Sequence, residues 1–588
     1  MKIKHLFGLA VIAAMSASCS SNEDLGTAGP GTGTNEAGVG YATFTINLPS
    51  TNGTRAGNPT YEQGTLDEYD VNDVTLLIFK KGDATKEGDF TFVEKADLGN
   101  MAPWKDENNS GGITASATIT AKLSSVALTS EGSKSDYYAL AILNNNADEH
   151  GEGGKVKLPT KTSDTFSSWN VASNTDVAKF TVNTNGYYMA NAPVYIKDGE
   201  PTTLVNIDKV YATKQKAETN AATTIHVERG LAKVSIASNA FPSTALKPTG
   251  TKYNEDEVKI TAWNLDVTNK STFPIHETAG LKNTNFSTIW SNTASTTGAS
   301  VTRFVDGSNS SFKRVHWGID PNYSDDLTTV AACEGAFNIL PAKAKIDGVA
   351  DKPQYCLENT FDINHMKQGQ TTRVVFKATY TPSVLSSPSE TDKTFFMIGN
   401  SSDIWTTKTL KAQIASKAKE ALSITTDPTV ELTGDLLTAG THVLTKSNVS
   451  IKIKEGETET EKVDDKLVAT LNTKLGLDDT KGIGIKTYKN GESYYIARIK
   501  HFGDDLTPWA EGQETYGKNN AENNTKYLGR YGVLRNNWYE LSIGSVSGPG
   551  TPDVPTIKPD EPDDESYRYI SVSVKILSWA KRSQSVDL

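Results

Sequence analysis

The stretch "YATFTINL", residues 41–48, decides how the rest of the chain is read. Ala42, Phe44, Ile46 and Leu48 fall on one face, and Tyr41, Thr43, Thr45 and Asn47 on the other. That strict alternation belongs to a half-buried β-strand, because successive side chains of an extended chain point to opposite sides. Pro49 stops it, and "STNGTRAGNPTY" (50–61) follows as a polar Gly/Asn/Pro loop.

Downstream, the strong segments are nearly all of the same kind: "DVTLLIFKK" (73–81), "YYALAILNN" (137–145), "TIHVERGLAKVSIAS" (224–238), "EVKITAWNLDVTN" (257–269), "TRVVFKATY" (372–380), "SYYIARIKHF" (493–502) and "NNWYELSIGSV" (536–546). They are rich in β-branched and aromatic residues and bounded by turn formers, the pattern of antiparallel sandwiches. Two helices are expected: 409–423 places Leu410, Ile414 and Leu422 at helical spacing, and 464–475 does so with Leu467, Val468, Leu471 and Leu475. At 588 residues two domains are expected, with a boundary after the long strand ending near Ser238: 56–238 and 239–544. The fold class is therefore mainly β, two antiparallel sandwiches with a few short helices and a separate final strand.

A formal net charge of −11 without a Lys/Arg cluster excludes a nucleic-acid partner, which requires a concentrated cationic surface. The start reads as a lipoprotein signal over 1–18: Lys2 and Lys4, an apolar run from Leu6 to Met15, then small residues before Cys19, which would become the acylated N-terminus. Ser16 stands where Leu is usual, and the "CSSNED" that begins at Cys19 suggests an outer-surface destination. Cys333 and Cys356 either pair in an oxidising envelope or remain two buried thiols, and they are too few for a zinc site.

Catalytic signatures are missing. The eight histidines are scattered, and there is no H-E-x-x-H pair, P-loop, nucleophile elbow or dinucleotide fingerprint. Trp263, Trp317, Trp405, Trp509, Trp538 and Trp579 suit sandwich cores and strand edges better than sugar stacking. The reading is of a protein without catalysis, cofactor or metal.

Arginine placement says more. Arg55 is the only arginine before Arg229, and it lies in the Gly/Asn-rich loop. A cut there by an arginine-specific protease, leaving Ala56 as the new terminus, would remove 19–55 with its lipid and the strand 41–48. The groove left behind would expose unpaired backbone groups and apolar side chains. The last segment, 567–588, offers a replacement, with Ile570, Val572, Val574 and Ile576 alternating on one face. Burying four such side chains is worth roughly 6 to 12 kcal/mol as an upper estimate. The segment before it, 545–566, holds five prolines and six carboxylates. It reads as an extended, self-repelling linker with a reach on the order of 60 to 70 Å.

In the lipoprotein start at Cys19, "TRAG" (54–57), "VERGLAKVSI" (227–236), "HWGIDPNY" (316–323), "YCLENTF" (355–361), "LRNNWYELSI" (534–543) and the Pro/Asp linker before a last strand, the chain resembles the Bacteroidota fimbrilins, or type V pilins, and within them minor-fimbrium shaft subunits. The resemblance implies two transthyretin-like sandwiches and a lipidated precursor at the outer membrane. It further implies processing after Arg55 by an arginine-specific protease, and a cell-surface fimbria in which residues 567–588 of one copy fill the groove of the next. Partners would be other copies of the chain and the anchor and tip subunits of the fibre. Two other functions fit the export signal: a fimbrial tip or accessory adhesin, which needs only to accept a strand and so has no use for a tethered one, and a surface glycan-active lipoprotein, which has no use for a lone arginine before a removable strand.

Overall fold

The computed structural model describes residues 39–48, 68, 70–98, 116–146, 154–180, 186–195, 201–237, 245–281, 304, 314–323, 326–502, 507, 527–563 and, as backbone alone, 570–578. Within them the architecture is mainly β. The first domain is built on one sheet, to which the short strand Val205–Asn206 also pairs, off the main order. Its strands are β1 (Gly40–Asn47), β2 (Val74–Lys80), β3 (Thr91–Asp97), β4 (Ser116–Leu123), β5 (Tyr137–Leu143), β6 (Met189–Asn191) and β7 (Thr223–Arg229). They lie in the order β3-β2-β5-β6-β7-β1-β4. The pattern "VTLLIFK" explains why β2 runs through the middle of the domain. Val74, Leu76 and Ile78 face the same core as β1, while Leu77 and Phe79 pack on the opposite face with Phe166, Tyr188 and Leu357. A strand covered on both faces needs such a continuous apolar run.

The second domain is a sandwich. One sheet has the order β10-β8-β15-β16, from β8 (Ala232–Ile236), β10 (Gln354–Cys356), β15 (Asn537–Val546) and β16 (Ile570–Ser578). The other has the order β9-β11-β14, from β9 (Glu257–Asp266), β11 (Arg373–Thr381) and β14 (Glu492–Arg498). Val234, Trp263, Phe376 and Leu541, all fully buried, fill the space between them. Between β11 and β14 comes an α/β layer that includes β12 (Phe395–Ile398) and β13 (Ile485–Tyr488). It carries helices α1 (Thr407–Leu422) and α2 (Asp465–Lys474), within two residues of the ranges their apolar spacing indicates. Side-chain caps from Thr406 and Asp464 start them, and Leu410, Ile414, Leu467 and Leu471 dock on Phe396 and Ile485.

Two expectations need correction. The stretch 224–238 is not one strand: β7 ends at Arg229 in the first domain's sheet and β8 begins at Ala232 in the second's. Asn536, held at φ +62°, makes the break by accepting from the Arg229 amide at 3.0 Å and donating its own amide to Leu231 at 2.7 Å. Sheet membership thus changes at 230–231, ahead of the expected boundary near Ser238. Alternation continues across this point, so periodicity alone does not reveal it.

Nor is the Pro/Asp-rich segment a free linker. Residues 547–563 form a strap against their own domain. Val554 and Ile557 are buried, the latter against Val267, Leu327 and Phe337. Backbone carbonyls do much of the rest: Gly548 accepts from the Tyr495 hydroxyl at 2.8 Å, Gly550 from Tyr488 at 2.9 Å, and Pro555 from Arg373 at 2.6 Å. Thr551 and Tyr494 exchange backbone bonds in both directions, and at the far end Asp563 accepts from the Thr371 hydroxyl at 2.8 Å. Proline removes a donor but leaves the carbonyl, so a Pro-rich chain binds well wherever the surface supplies the donors.

Candidate assembly site

The slot of β1 is an interior one. On one side β1 runs parallel to β7, with Phe44 opposite Thr223 and Ile46 opposite Ile225. On the other it runs antiparallel to β4 over its whole length, from Gly40 opposite Leu123 to Asn47 opposite Ser116. The sheet order ends at β4, whose ladder partner is β1. Ala42, Phe44, Ile46 and Leu48 are at most 2% exposed and sit among Leu123, Ile207 and Ile225. The other face is organised by hydroxyls: Thr43 and Thr120 lie 2.9 Å apart, and Thr45 and Thr118 3.0 Å. At the entry end the Tyr41 and Tyr211 backbones exchange two bonds of 2.8 Å. Taking β1 away would strip β4 of its ladder and uncover one wall of the core.

The last strand is placed differently. β16 runs antiparallel to β15 at the rim of the second domain's sheet, with Ile576 at the register position of Tyr539, Val574 at that of Leu541, Val572 at that of Ile543 and Ile570 at that of Val546. In the single chain it therefore belongs to its own C-terminal domain, with one strand beside it. The strap ends at Asp563, so residues 564–569 are all that separates the anchored chain from this strand.

Around the break at 230–231 lies a buried polar cluster that composition does not reveal. The fully buried Glu68, in the segment that follows the Arg55 loop, accepts from Lys233 Nζ and from the Tyr355 hydroxyl, each at 2.7 Å. Its backbone carbonyl accepts from Arg229 Nε at 3.1 Å and Nη2 at 2.8 Å. Lys233 Nζ also lies 3.7 Å over the Trp538 ring. Burial presses the Lys233 ammonium below its ordinary range against the opposing pull of Glu68. Next to it Glu228 pairs with Arg314 and with His276 Nδ1 at 2.9 Å. Burial pushes the Glu228 carboxyl up, but the Arg314 and His276 charges outweigh that and hold it at about 2. Arg535 binds Glu358 at 2.5 Å.

Glu228, Arg229 and Lys233 come from "VERGLAKVSI", Tyr355 and Glu358 from "YCLENTF", and Arg535 and Trp538 from "LRNNWYELSI", whereas Glu68, His276 and Arg314 lie outside these stretches. Three of the stretches that carry the family resemblance thus meet where the two domains join. Their partners lie far apart in the chain, so only the motifs themselves could have pointed to the cluster. Such pairs add little net stability but lose much when one partner is removed, which suits fixing one arrangement of two sheets.

Cys19, Arg55 and Ala56 lie outside the described residues, as do the side chains of Ile570, Val572, Val574 and Ile576. Cys333 and Cys356 are buried free thiols in separate cores, Cys333 against Val267 and Ile557 and Cys356 against Val234 and Val374. The pairing left open by their spacing is not made. Burial pushes the two thiols up to about 11 and about 12.

Residues 486–585 match the family model of the major fimbrial subunit protein type IV, fimbrillin, C-terminal region. The matched span runs from β13 through β14, β15, the strap and β16. Solved structures similar to the chain include a fimbrilin, FimA, of Porphyromonas gingivalis, at 10% identity and TM-score 0.36 over 92% of this chain and 99% of that one. A cell adhesion protein of Parabacteroides distasonis gives 11% identity and TM-score 0.39 over 92% and 99%. The tip fimbrial protein Mfa3 of P. gingivalis, with a C-terminal truncation, gives 11% and 0.27 over 92% and 100%. No curated protein matches the chain.

Proposed function

We propose that the chain is a structural subunit of a cell-surface fimbria, exported as an outer-membrane lipoprotein through Cys19 and cut after Arg55. It then polymerises by strand exchange and supports adhesion. The observation that carries this reading is the contrast in placement between two strands of like pattern. β1 sits inside a sheet, upstream of the lone arginine of the first 228 residues, and holds β4 in place. β16 sits at a rim with a partner on one side, so leaving home costs it one ladder and entering a vacated β1 slot gains two. The match of 486–585 to fimbrillin supports the same reading from the other end of the chain. The partners are further copies of the chain, the anchor and tip subunits of the fibre, and an arginine-specific protease.

The test is to treat purified precursor with an arginine-specific protease and resolve the products without heating. A ladder of multimers is expected from the unsubstituted chain and none from Arg55→Ala or from a chain ending at Ser566. Assembly by the shortened chain would sink the proposal.

A further inference from the structure

We infer that residues 570–576 of a second copy enter the slot in the same direction as β1, parallel to β7 and antiparallel to β4, in one register that sets Ser571 against Thr120 and Ser573 against Thr118. The inference rests on the strand-exchange reading and adds the direction and register that reading leaves open.

The first support is a correspondence along the two strands. "YATFTINL" (41–48) and "YISVSVKI" (569–576) agree in character at every step: Tyr, apolar, hydroxyl, apolar, hydroxyl, apolar, polar, apolar. The apolar positions limit the register. The slot has four buried places, those of Ala42, Phe44, Ile46 and Leu48. A shift of one residue turns the apolar set away from the core. A shift of two puts Arg568 in the place of Ala42, or Ser578 in that of Leu48, burying a charge or a hydroxyl among aliphatic groups. Unshifted, Ile570, Val572, Val574 and Ile576 take all four places.

The polar face decides direction. Running with β1, the donor replaces Thr43 and Thr45 by Ser571 and Ser573, so both cross-strand hydroxyl pairs with β4 can be remade. Lys575 then takes the half-buried place of Asn47. Its register neighbours there are His226 and Ser116. Run backwards, the same strand still fills the four apolar places but puts Lys575 where Thr43 is 7% exposed, and its ammonium replaces a hydroxyl facing Thr120.

The entry end is defined too. A Cβ at Gly40 would stand 2.4 Å from Val210 Cγ1, and the corresponding donor residue is Arg568. The donor must turn away before that point, so at most Tyr569 precedes the inserted residues 570–576.

Cysteine pairs read the direction directly, since opposed antiparallel residues lie within disulfide reach. One protein carries Thr120→Cys, and a second carries Ser571→Cys or Lys575→Cys. The two are mixed, cut, oxidised and run without reductant. Cys19 leaves with the cut, and Cys333 and Cys356 are buried. A covalent dimer is expected from the 120/571 mixture, at least tenfold over the 120/575 mixture. The reverse preference, or a ladder with no covalent dimer in either, overturns the inference while strand exchange stands. Absence of a ladder from the unsubstituted chain overturns strand exchange itself, and the inference with it.

Discussion

β1 and β16 have the same alternation of apolar and hydroxyl side chains, and the fold treats them in opposite ways. β1 lies between β7 and β4 and is needed by both; β16 lies beside β15 and ends its sheet. An interior strand is held by two ladders and is hard to lose unless its connection to the body is severed. A rim strand can peel from one end, one backbone pair at a time. On the proposed strand exchange, the contrast would tell donor from plug where composition alone does not, since either sequence would serve as one or the other. What differs is where the chain lets each one go: before β2 there is a single arginine, and before β16 there is an anchored strap.

Removing both strands should break the comparison most severely. In a chain lacking 1–55 and 567–588, β4 has lost its ladder partner and the slot has nothing to fill it. The first domain should lose the roughly 6 to 12 kcal/mol, as an upper estimate, that four buried side chains supply. Hydrogen exchange read by mass spectrometry should show the amides of 116–123 unprotected, while a chain lacking 567–588 alone keeps them protected. Protection retained in the doubly shortened chain would mean that β4 does not depend on β1.

A smaller effect is expected at the strap. Ile557→Ala leaves a cavity against Val267, Leu327 and Phe337 and should cost about 2 to 5 kcal/mol in the second domain. Urea unfolding of the precursor gives the magnitude. Limited proteolysis should then find 547–563 accessible where the unsubstituted chain resists. If the strap were a loose tether, neither measurement would change.

Acid provides the mildest test, at β1's parallel neighbour. Glu228, on β7, is held at about 2 against an ordinary 4.5, so the folded form binds its proton less readily than the unfolded form. Its contribution is complete above pH 4.5 and is lost as pH falls towards 2. Asp320 acts oppositely: burial raises it from 3.8 to about 7, so the folded form keeps its proton longer and stability declines as pH rises through that interval. In Glu228→Gln the acid limb of the urea midpoint between pH 4.5 and 2 should flatten, and the limb between pH 4 and 7 should be unchanged. An unaltered acid limb would remove Glu228 from the account.

How much of this was legible depended on range. The β1 alternation was, because each residue's burial follows from its neighbours two positions away, and Ala42, Phe44, Ile46 and Leu48 lie where that pattern puts them. Both long helices were legible for the same reason. The strap was not: its prolines and carboxylates suggest solvent, while its anchoring comes from Val554, Ile557 and backbone carbonyls, which composition does not count. The Glu68 cluster was also hidden, since Glu68, Arg229, Lys233 and Tyr355 are far apart in the chain and meet only in the folded structure. The division of 224–238 depends on Asn536, some three hundred positions away.

The anchored strap bears on how a fibre of such subunits would carry tension. With 547–563 bound to its own domain, the arm available to a neighbour would start at Asp563, and residues 564–569 would reach roughly 21 Å at about 3.5 Å per residue. If strand exchange builds the fibre as proposed, the neighbour's slot would have to lie within that distance and successive subunits would stack closely. Pulling on the fibre would then draw the inserted strand along its own axis and load both its ladders in shear at once. The force would pass through a short, taut segment into the strap's buried anchors at Ile557 and Val554. Stretching single fibres should therefore meet early stiffness, and Ile557→Ala should add a compliant phase before rupture as the strap peels away; equal compliance in both would dismiss this picture.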